Sequence, residues 1–518
     1  MPKKIPIGIQ DFRKLIEYDF KYIDKTRYVH QMTSYPGAYF LSRPRRFGKS
    51  ITVALLDELY SGSKELFKGL WIEDHWNWEE QYPVIKLSLT AISYQSIGLE
   101  SAIAQELQTI ADRYNVKLTK TGIAPQFKQL ITALAKTKKV VVLIDEYDAP
   151  IIHFLGKDID QAIANRERLK EFYTVLKEAD SYIEFVFITG VSKFSEMEIF
   201  SGLNNLQDIS MHPGFATMLG YTQEELEHYF PEELEATAAH MKISKRELLE
   251  KLRNWYNGYR FEENAETVYN PVSVNTFFSF KKCQNFWFAT GTPTFLINLL
   301  KDQGIFDLNF EHLNPSGFDS FELQQLKPAA ILYQTGYLTI KDQDQEGFLT
   351  LDYPNKEVRD AMIEHLIEGF VGVDVEFSAA LIIKIRKAFF ANDLESVMRI
   401  LTTVFKGLPC FLHEKFPERF FHAAIHLLFT YLGLRVQSEV CTSDGRVDSV
   451  VETDTHIYIF EFKLDEPAQT ALDQIHQKKY YQAYWQKDKP VVGIGVNFSS
   501  QTKNIDDWQS EAMSTVKS

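Results

Sequence analysis

The sequence predicts an α/β multidomain protein: a doubly wound parallel sheet near the N-terminus, a helical middle, and a second α/β domain near the C-terminus. Three observations predict it. Between about residues 38 and 210, short apolar runs alternate with helical patterns. From about 220 the apolar spacing becomes helical. From about 419 a helix, two or three strands and a further helix follow one another.

The N-terminal runs are Tyr39–Ser42, Val84–Leu89, Val140–Ile144 and Glu184–Thr189. Runs rich in Val, Ile and Phe and bounded by turn residues read as strands buried on both faces, as a parallel sheet requires. The helical segments between them supply parallel connections. Leu226–Leu252 carries apolar residues at helical spacing among Glu and Lys, and Pro231 splits it into two helices. Between 300 and 410 helices dominate, with Tyr337–Ile340 and Phe348–Leu351 placed to pair as a hairpin. The expected division is 1–215, 216–300, 301–410 and 411–518, the third segment mostly helical and winged-helix-like.

Composition sets bounds. The 518 residues are 45% hydrophobic and 24% charged, which is globular rather than disordered, and 39 Phe with 25 Tyr supply several cores. Acids outnumber bases, 70 to 56, so the net charge of −14 excludes a uniformly basic nucleic-acid binder. No apolar run approaches the roughly 18 residues of a membrane span. The start, Met1-Pro2-Lys3-Lys4-Ile5-Pro6, lacks the apolar stretch of a signal peptide. A cytoplasmic protein with no membrane partner is therefore expected. Cys283, Cys410 and Cys441 are odd in number and far apart, which excludes a disulfide scaffold and a CxxC zinc site. Residues 1–70 hold 13 bases and 7 acids, +6, leaving −20 for the rest, so bound anions are expected near the N-terminus.

Chemistry enters at Arg43-Pro44-Arg45-Arg46-Phe47-Gly48-Lys49-Ser50. The end of this run matches the phosphate-loop pattern G-x-x-x-x-G-K-[ST], with Arg43 where the first Gly would stand. A strand precedes it and a helix follows, with Ile51, Leu55, Leu56 and Leu59 on one face. Backbone N–H groups of such a loop, here those of Arg45, Arg46, Phe47 and Gly48 among them, attract phosphate. Lys49 is placed to reach the β- and γ-phosphates of ATP, and Ser50 to ligate Mg²⁺. Arg45 and Arg46 neutralise phosphate or contact a neighbouring element. The run Val140–Ile144 ends in Asp145-Glu146, 96 residues after Lys49. Asp145 is expected in the Mg²⁺ shell and Glu146 against the attacking water, because metal positioning and water activation are separate tasks. After the strand Glu184–Thr189, either Thr189 or Ser192 is placed to sense the γ-phosphate.

The C-terminal segment has its own carboxylates. Along His456–Lys463, Ile457, Ile459, Glu461 and Lys463 share one face, and Tyr458, Phe460 and Phe462 the other. Asp448 lies on a neighbouring strand. Two carboxylates can hold a Mg²⁺ or Mn²⁺ ion, with Lys463 acting on the attacking water or the phosphate. Gln474, and Lys478 one turn on, lie on a helix over Ala468–Trp485 that faces this strand. His422 and His426 are spaced for a metal but lack a third ligand.

With these residues in view, the chain resembles the AAA-ATPase-like proteins that carry a C-terminal PD-(D/E)XK nuclease-superfamily domain. The likeness rests on Tyr22-Ile23-Asp24-Lys25-Thr26, the loop 43–50, Asp145-Glu146-Tyr147-Asp148-Ala149-Pro150, Trp255-Tyr256-Asn257-Gly258-Tyr259-Arg260-Phe261 and Tyr269-Asn270-Pro271. It covers nearly the whole chain. The resemblance implies an ASCE-type P-loop ATPase core, a helical lid and a restriction-endonuclease-like tail, with Asp448, Glu461 and Lys463 on the nuclease signature. The expected function is ATP binding and hydrolysis coupled to a metal-dependent nuclease acting on nucleic acid, with a homo-oligomer left open. The alternative is a nucleotide-gated regulatory or nucleic-acid-docking switch with an inactive tail. The tail's 11 bases against 15 acids, −4, favour that alternative, since phosphate contacts dominate nucleic-acid affinity.

Overall fold

A computed structural model of the chain describes residues 3–193, 199–200, 203, 205–287, 294–315, 326–371, 384–406, 417–431, 435–442, 445–485 and 489–513. The chain forms two compact units, one of Met1–Gly291 with Asn309–Arg359, the other of Thr292–Leu308 with Asp360–Ser518. Among the described residues no helix is long and apolar enough to cross a membrane.

The first unit is built on a parallel five-stranded sheet of β1 (Gly37–Ser42), β2 (Val84–Ser88), β3 (Val140–Asp145), β4 (Ile183–Gly190) and β5 (Leu206–Asp208). The spatial order is β2-β3-β4-β1-β5. All six residues of β3 are buried, which explains its unbroken apolar run. The four strands read from sequence are all present, each within two residues of its expected ends. The chain leaves β1 for the far edge and returns through β3 to β4, so the strand carrying Thr189 lies between the phosphate-loop strand and the acidic strand. Leu41 pairs with Thr189 and Ile144 with Ile188, which brings the carboxyl ends of β1, β3 and β4 together. Ligands of open α/β sheets bind at such ends.

The region after β5 is helical. Pro231 does break it, at the first position of Pro231–Met241, where its missing N–H costs nothing. A second break follows: Lys242 takes a left-handed conformation and Ser244 caps Lys245–Tyr256. The expected pair of helices is therefore three, Gln223–Tyr229, Pro231–Met241 and Lys245–Tyr256. They bury Leu226, Phe230, Leu234, Leu248, Leu252 and Tyr256 in one cluster with Phe277 and Phe278. The hairpin forms as β7 (Thr339–Gln343) and β8 (Leu349–Asp352), joined by β6 (Phe310–Leu313) in the order β6-β8-β7.

The second unit holds a mixed sheet, β9 (Arg435–Thr442), β10 (Gly445–Glu452), β11 (Ile457–Leu464), β12 (Val491–Ser499) and β13 (Asn504–Ala512), in the order β13-β12-β11-β10-β9. Only β11 and β12 run parallel, connected through the helix Ala468–Gln477. That helix ends eight residues before the expected Trp485; Lys479 turns left-handed and a 3₁₀ segment, Tyr480–Tyr484, follows. The alternation along β11 is as read. Ile457 and Ile459 pack with Leu472 and Ile475 of the helix, while Tyr458 and Phe460 meet Phe389 on the other face.

Candidate functional site

In the phosphate loop, Gly48 caps the helix Lys49–Tyr60 at φ +103°. An L side chain there meets no steric neighbour but would strain the backbone. Lys49 is buried, and its ammonium donates to the carbonyls of Arg43 (2.8 Å) and Pro44 (3.0 Å). Burial lowers its pKa, and the charges of Glu146, Asp145 and Asp148 oppose that shift. Ser50 opens the same helix one residue on.

The acids that act on this lysine all lie at or just after the end of β3, and Thr189 meets them from the end of β4. Thr189 Oγ1 donates to Asp145 Oδ1 (2.7 Å) and accepts from the Glu146 N–H (3.3 Å). Glu146 stands at φ +54°, and Arg46 at +70°. For residues with a bulky Cβ substituent this costs roughly 1–2 kcal/mol each, and such strain collects at functional positions. Burial raises the Glu146 pKa and Lys49 lowers it. Ser192 is engaged elsewhere. Its N–H (2.7 Å) and hydroxyl (2.6 Å) both donate to the buried Asp148. Of the two sensor candidates, Thr189 is the one against Asp145 and Glu146.

Other loop residues divide by their surroundings. Arg45 is exposed. Arg46 donates to the Phe286 carbonyl (2.6 Å). The Phe47 ring is buried edge-on to Tyr259 and Phe261, so what Phe47 offers a ligand is its backbone amide. Arg43 is a strut: its buried guanidinium donates to the carbonyls of Ser42, Ser210 and Phe215 and lies 4.2 Å over the Phe261 ring. Burial lowers its pKa to about 10. Sequence reasoning gave no separate role to Asp148, which pins the turn after β4; its only signal was its place three residues after Asp145.

The second site lies on β10 and β11. Asp448 Oδ2 accepts from the Phe462 N–H (2.8 Å). Glu461 is 2% exposed. Its Oε1 accepts from Lys463 Nζ (3.4 Å) and from Gln474 Nε2, while its Oε2 is buried with no hydrogen-bond partner. Burial, with the Asp448 charge beside it, pushes the Glu461 carboxyl up to about 8, against the pull of Lys463. Gln474 thus reaches the site, as its helix position suggested, and its Nε2 also lies 3.5 Å from the Tyr480 hydroxyl. Tyr480 escaped sequence reasoning because the shorter helix brings it back under the strand. Lys478 makes no described contact with either carboxylate.

The donor sets fit hard cations. At the first site a hydroxyl and a carboxylate, Ser50 and Asp145, are oxygen donors of the kind Mg²⁺ takes. At the second, the unpaired Oε2 of Glu461 beside Asp448 is the arrangement a cation would complete. Among the described residues no three His, Cys, Asp or Glu side chains form a metal-ligating group, and a cation at either place would draw on water or substrate oxygens as well. His426 is buried with its Nε2 3.9 Å from Asp307 Oδ2. The side chain of His422 lies outside the described residues.

Comparison with known proteins finds both segments of the chain. A family model described as "Predicted AAA-ATPase" matches residues 6–200, and one described as "PD-(D/E)XK nuclease superfamily" matches 416–508. The "Uncharacterized protein in vnfD 5'region" of Azotobacter chroococcum mcd 1 is 34% identical over 519 residues, covering 97% of this chain and 98% of its own length.

Proposed function

The chain belongs to the AAA-ATPase-like family whose members carry a C-terminal PD-(D/E)XK nuclease-superfamily domain, and from that premise we propose that it hydrolyses ATP and cleaves nucleic-acid phosphodiesters with a divalent metal. The observation that carries the nuclease half is the buried, unpartnered Glu461 Oε2 beside Asp448 and Lys463.

In the ATPase half, Lys49 exchanges the Arg43 and Pro44 carbonyls for β- and γ-phosphate oxygens, which are stronger acceptors. Ser50 and Asp145 would hold the Mg²⁺ that accompanies ATP, which would supply charge neutralisation at the phosphates. Glu146 orients the attacking water and takes its proton. Thr189 holds Asp145 and the Glu146 backbone in place. In the tail, Asp448 and Glu461 would hold Mg²⁺ or Mn²⁺, which would supply Lewis-acid activation of water and phosphate. Lys463 balances the charge that develops on the phosphate, and Gln474 fixes the Glu461 carboxylate.

The test offers single-stranded, double-stranded and branched DNA, and RNA, in Mn²⁺, with and without ATP. Cleavage lost in Asp448→Ala and in Glu461→Ala supports the proposal. Cleavage surviving both overturns it. The tail's net −4 is poor for gripping phosphates and favours the second reading, a nucleotide-gated regulatory switch whose tail keeps the nuclease fold without cutting. That reading expects ATP binding, no metal bound between Asp448 and Glu461, and no cleavage of any substrate.

A further inference from the structure

Tyr259 and Phe261 pack under the phosphate loop, but the turn between Trp255 and Tyr259 faces neither site above. Within it Gly258 stands at φ +114°, and a Cβ there would fall 2.0 Å from the Pro354 carbonyl oxygen. Only glycine lets these two backbones pass so closely. Their approach forms one wall of a cavity of about 430 Å³, inside the first unit and in the size range of small-molecule sites. No residue of the phosphate loop, nor Asp145 or Glu146, lines it.

Its walls carry Arg253, Lys341, Lys356 and Arg359 against one carboxylate, Asp352. That is +3 in a chain of net −14. Burial lowers the Lys341 pKa, with Asp352 opposing the shift. Like charges gathered in a partly desolvated space favour an anion between them.

A second observation is independent of the charges. The helix Lys356–Leu366 begins at the cavity, and Asn355 caps it: its Oδ1 accepts from the Val358 N–H (3.1 Å). This bond fixes which end of the amide is oxygen. The other end, Nδ2, is then left without a partner although Asn355 is only 8% exposed. A buried donor with no acceptor costs roughly 1–3 kcal/mol, and such groups are rare without a reason.

We infer that this cavity is a second anion site, taking a nucleotide-sized ligand through its phosphate groups, with Asn355 Nδ2, the helix N-terminus and the four cations as donors. The volume holds a nucleotide, whereas a polymer backbone needs a track longer than the cavity.

The experiment uses the full chain with the phosphate loop silenced by Lys49→Ala, so it stands whether or not that loop binds ATP. Inorganic pyrophosphate is titrated by calorimetry, then adenosine 5′-monophosphate and guanosine 5′-monophosphate, then a 20-nucleotide single strand. Saturable pyrophosphate or mononucleotide binding is expected. Asn355→Asp keeps the cap oxygen but replaces the donor by an acceptor. It is expected to leave the thermal midpoint at or above that of the Lys49→Ala parent and to weaken binding at least tenfold. Arg359→Gln weakens it as well and carries the test alone if Asn355→Asp fails to fold. No saturable binding of the small anions, or binding unchanged in both variants, overturns the inference. Binding of the oligonucleotide alone, sensitive to these substitutions, overturns the ligand class.

Discussion

Glu357 offers a sharp test of how the first unit is held together. Its side chain is fully buried and accepts from Ser273 Oγ (2.7 Å), Phe286 N–H (2.6 Å) and Trp287 N–H (2.9 Å). Arg46 of the phosphate loop donates to the same Phe286, so Glu357 anchors the segment to which the loop is tied. Burial raises its carboxyl from 4.5 to about 7, and the three hydrogen bonds and Arg46 offset only part of that. A folded-state pKa above the unfolded value means the fold prefers the neutral acid. The associated stability is complete below about pH 4.5 and is lost as pH rises through about 7. The size follows from the shift: at 1.36 kcal/mol per pKa unit it is roughly 3 kcal/mol. Glu357→Gln removes the ionisation and keeps the shape. One amide end still accepts from Phe286 and Trp287, and the other donates to Ser273. The variant is therefore expected to match the parent near pH 5 and to exceed it by roughly 2–3 kcal/mol at pH 8. The assay is urea unfolding at pH 5, 6.5 and 8, with amide exchange of Phe286 and Trp287 as the local readout. A parent whose stability is flat across that range, or a Gln variant weaker than the parent at pH 8, would refute the reasoning.

The other predictions concern the two sites. Lys49→Ala is expected to remove measurable ATP binding, because a charge-assisted contact to phosphate is worth roughly 1.5–3 kcal/mol; equilibrium binding within a factor of about two of the parent sinks the loop assignment. Glu146→Gln is expected to trap bound ATP and stop turnover, read as retained nucleotide with no phosphate release; an unchanged rate means another residue activates the water. Lys463→Ala is expected to keep Mn²⁺ binding and slow cleavage, whereas Asp448→Ala loses both, a contrast that calorimetry and a nuclease assay read separately. Gly48→Ala forces an alanine into a left-handed cap and is expected to cost roughly 1 kcal/mol, read as a lower thermal midpoint; no change would mean the loop relaxes to an ordinary φ.

Much of this architecture could be read from local pattern. The four parallel strands announced themselves because burial on both faces leaves no room for polar alternation, as in Val140–Asp145. The face shared by Ile457, Ile459, Glu461 and Lys463 followed from the strand period alone. Helix ends were harder. Lys242 and Lys479 terminate helices in left-handed conformations that no Gly or Asn advertises. Hence the stretch after β5 holds three helices where its spacing predicts two, and the tail helix ends eight residues sooner than its spacing predicts.

What stayed out of reach has one physical character: each such residue acts through a partner far along the chain. Arg43 reads as a damaged phosphate loop until its guanidinium is seen donating to Ser210 and Phe215, more than 160 residues on. Asp148 reads as part of an acidic run until Val191 and Ser192 close on it. Glu357 gives no sign in its neighbours that Ser273, Phe286 and Trp287 await it. The residues that meet a ligand must follow strict local spacing, since the ligand's own dimensions impose it. The residues that hold them there answer only to the fold. A buried polar side chain obeys one rule, that its hydrogen-bonding groups find partners. The fold satisfies that rule for Arg43, Asp148 and Glu357 by long-range pairing, apart from the Arg43 Nε. It leaves Glu461 Oε2 and Asn355 Nδ2 unsatisfied, each in a setting of matching chemistry: a second carboxylate for one, four cations for the other. Those two unmet atoms ask for opposite ligands, a cation and an anion.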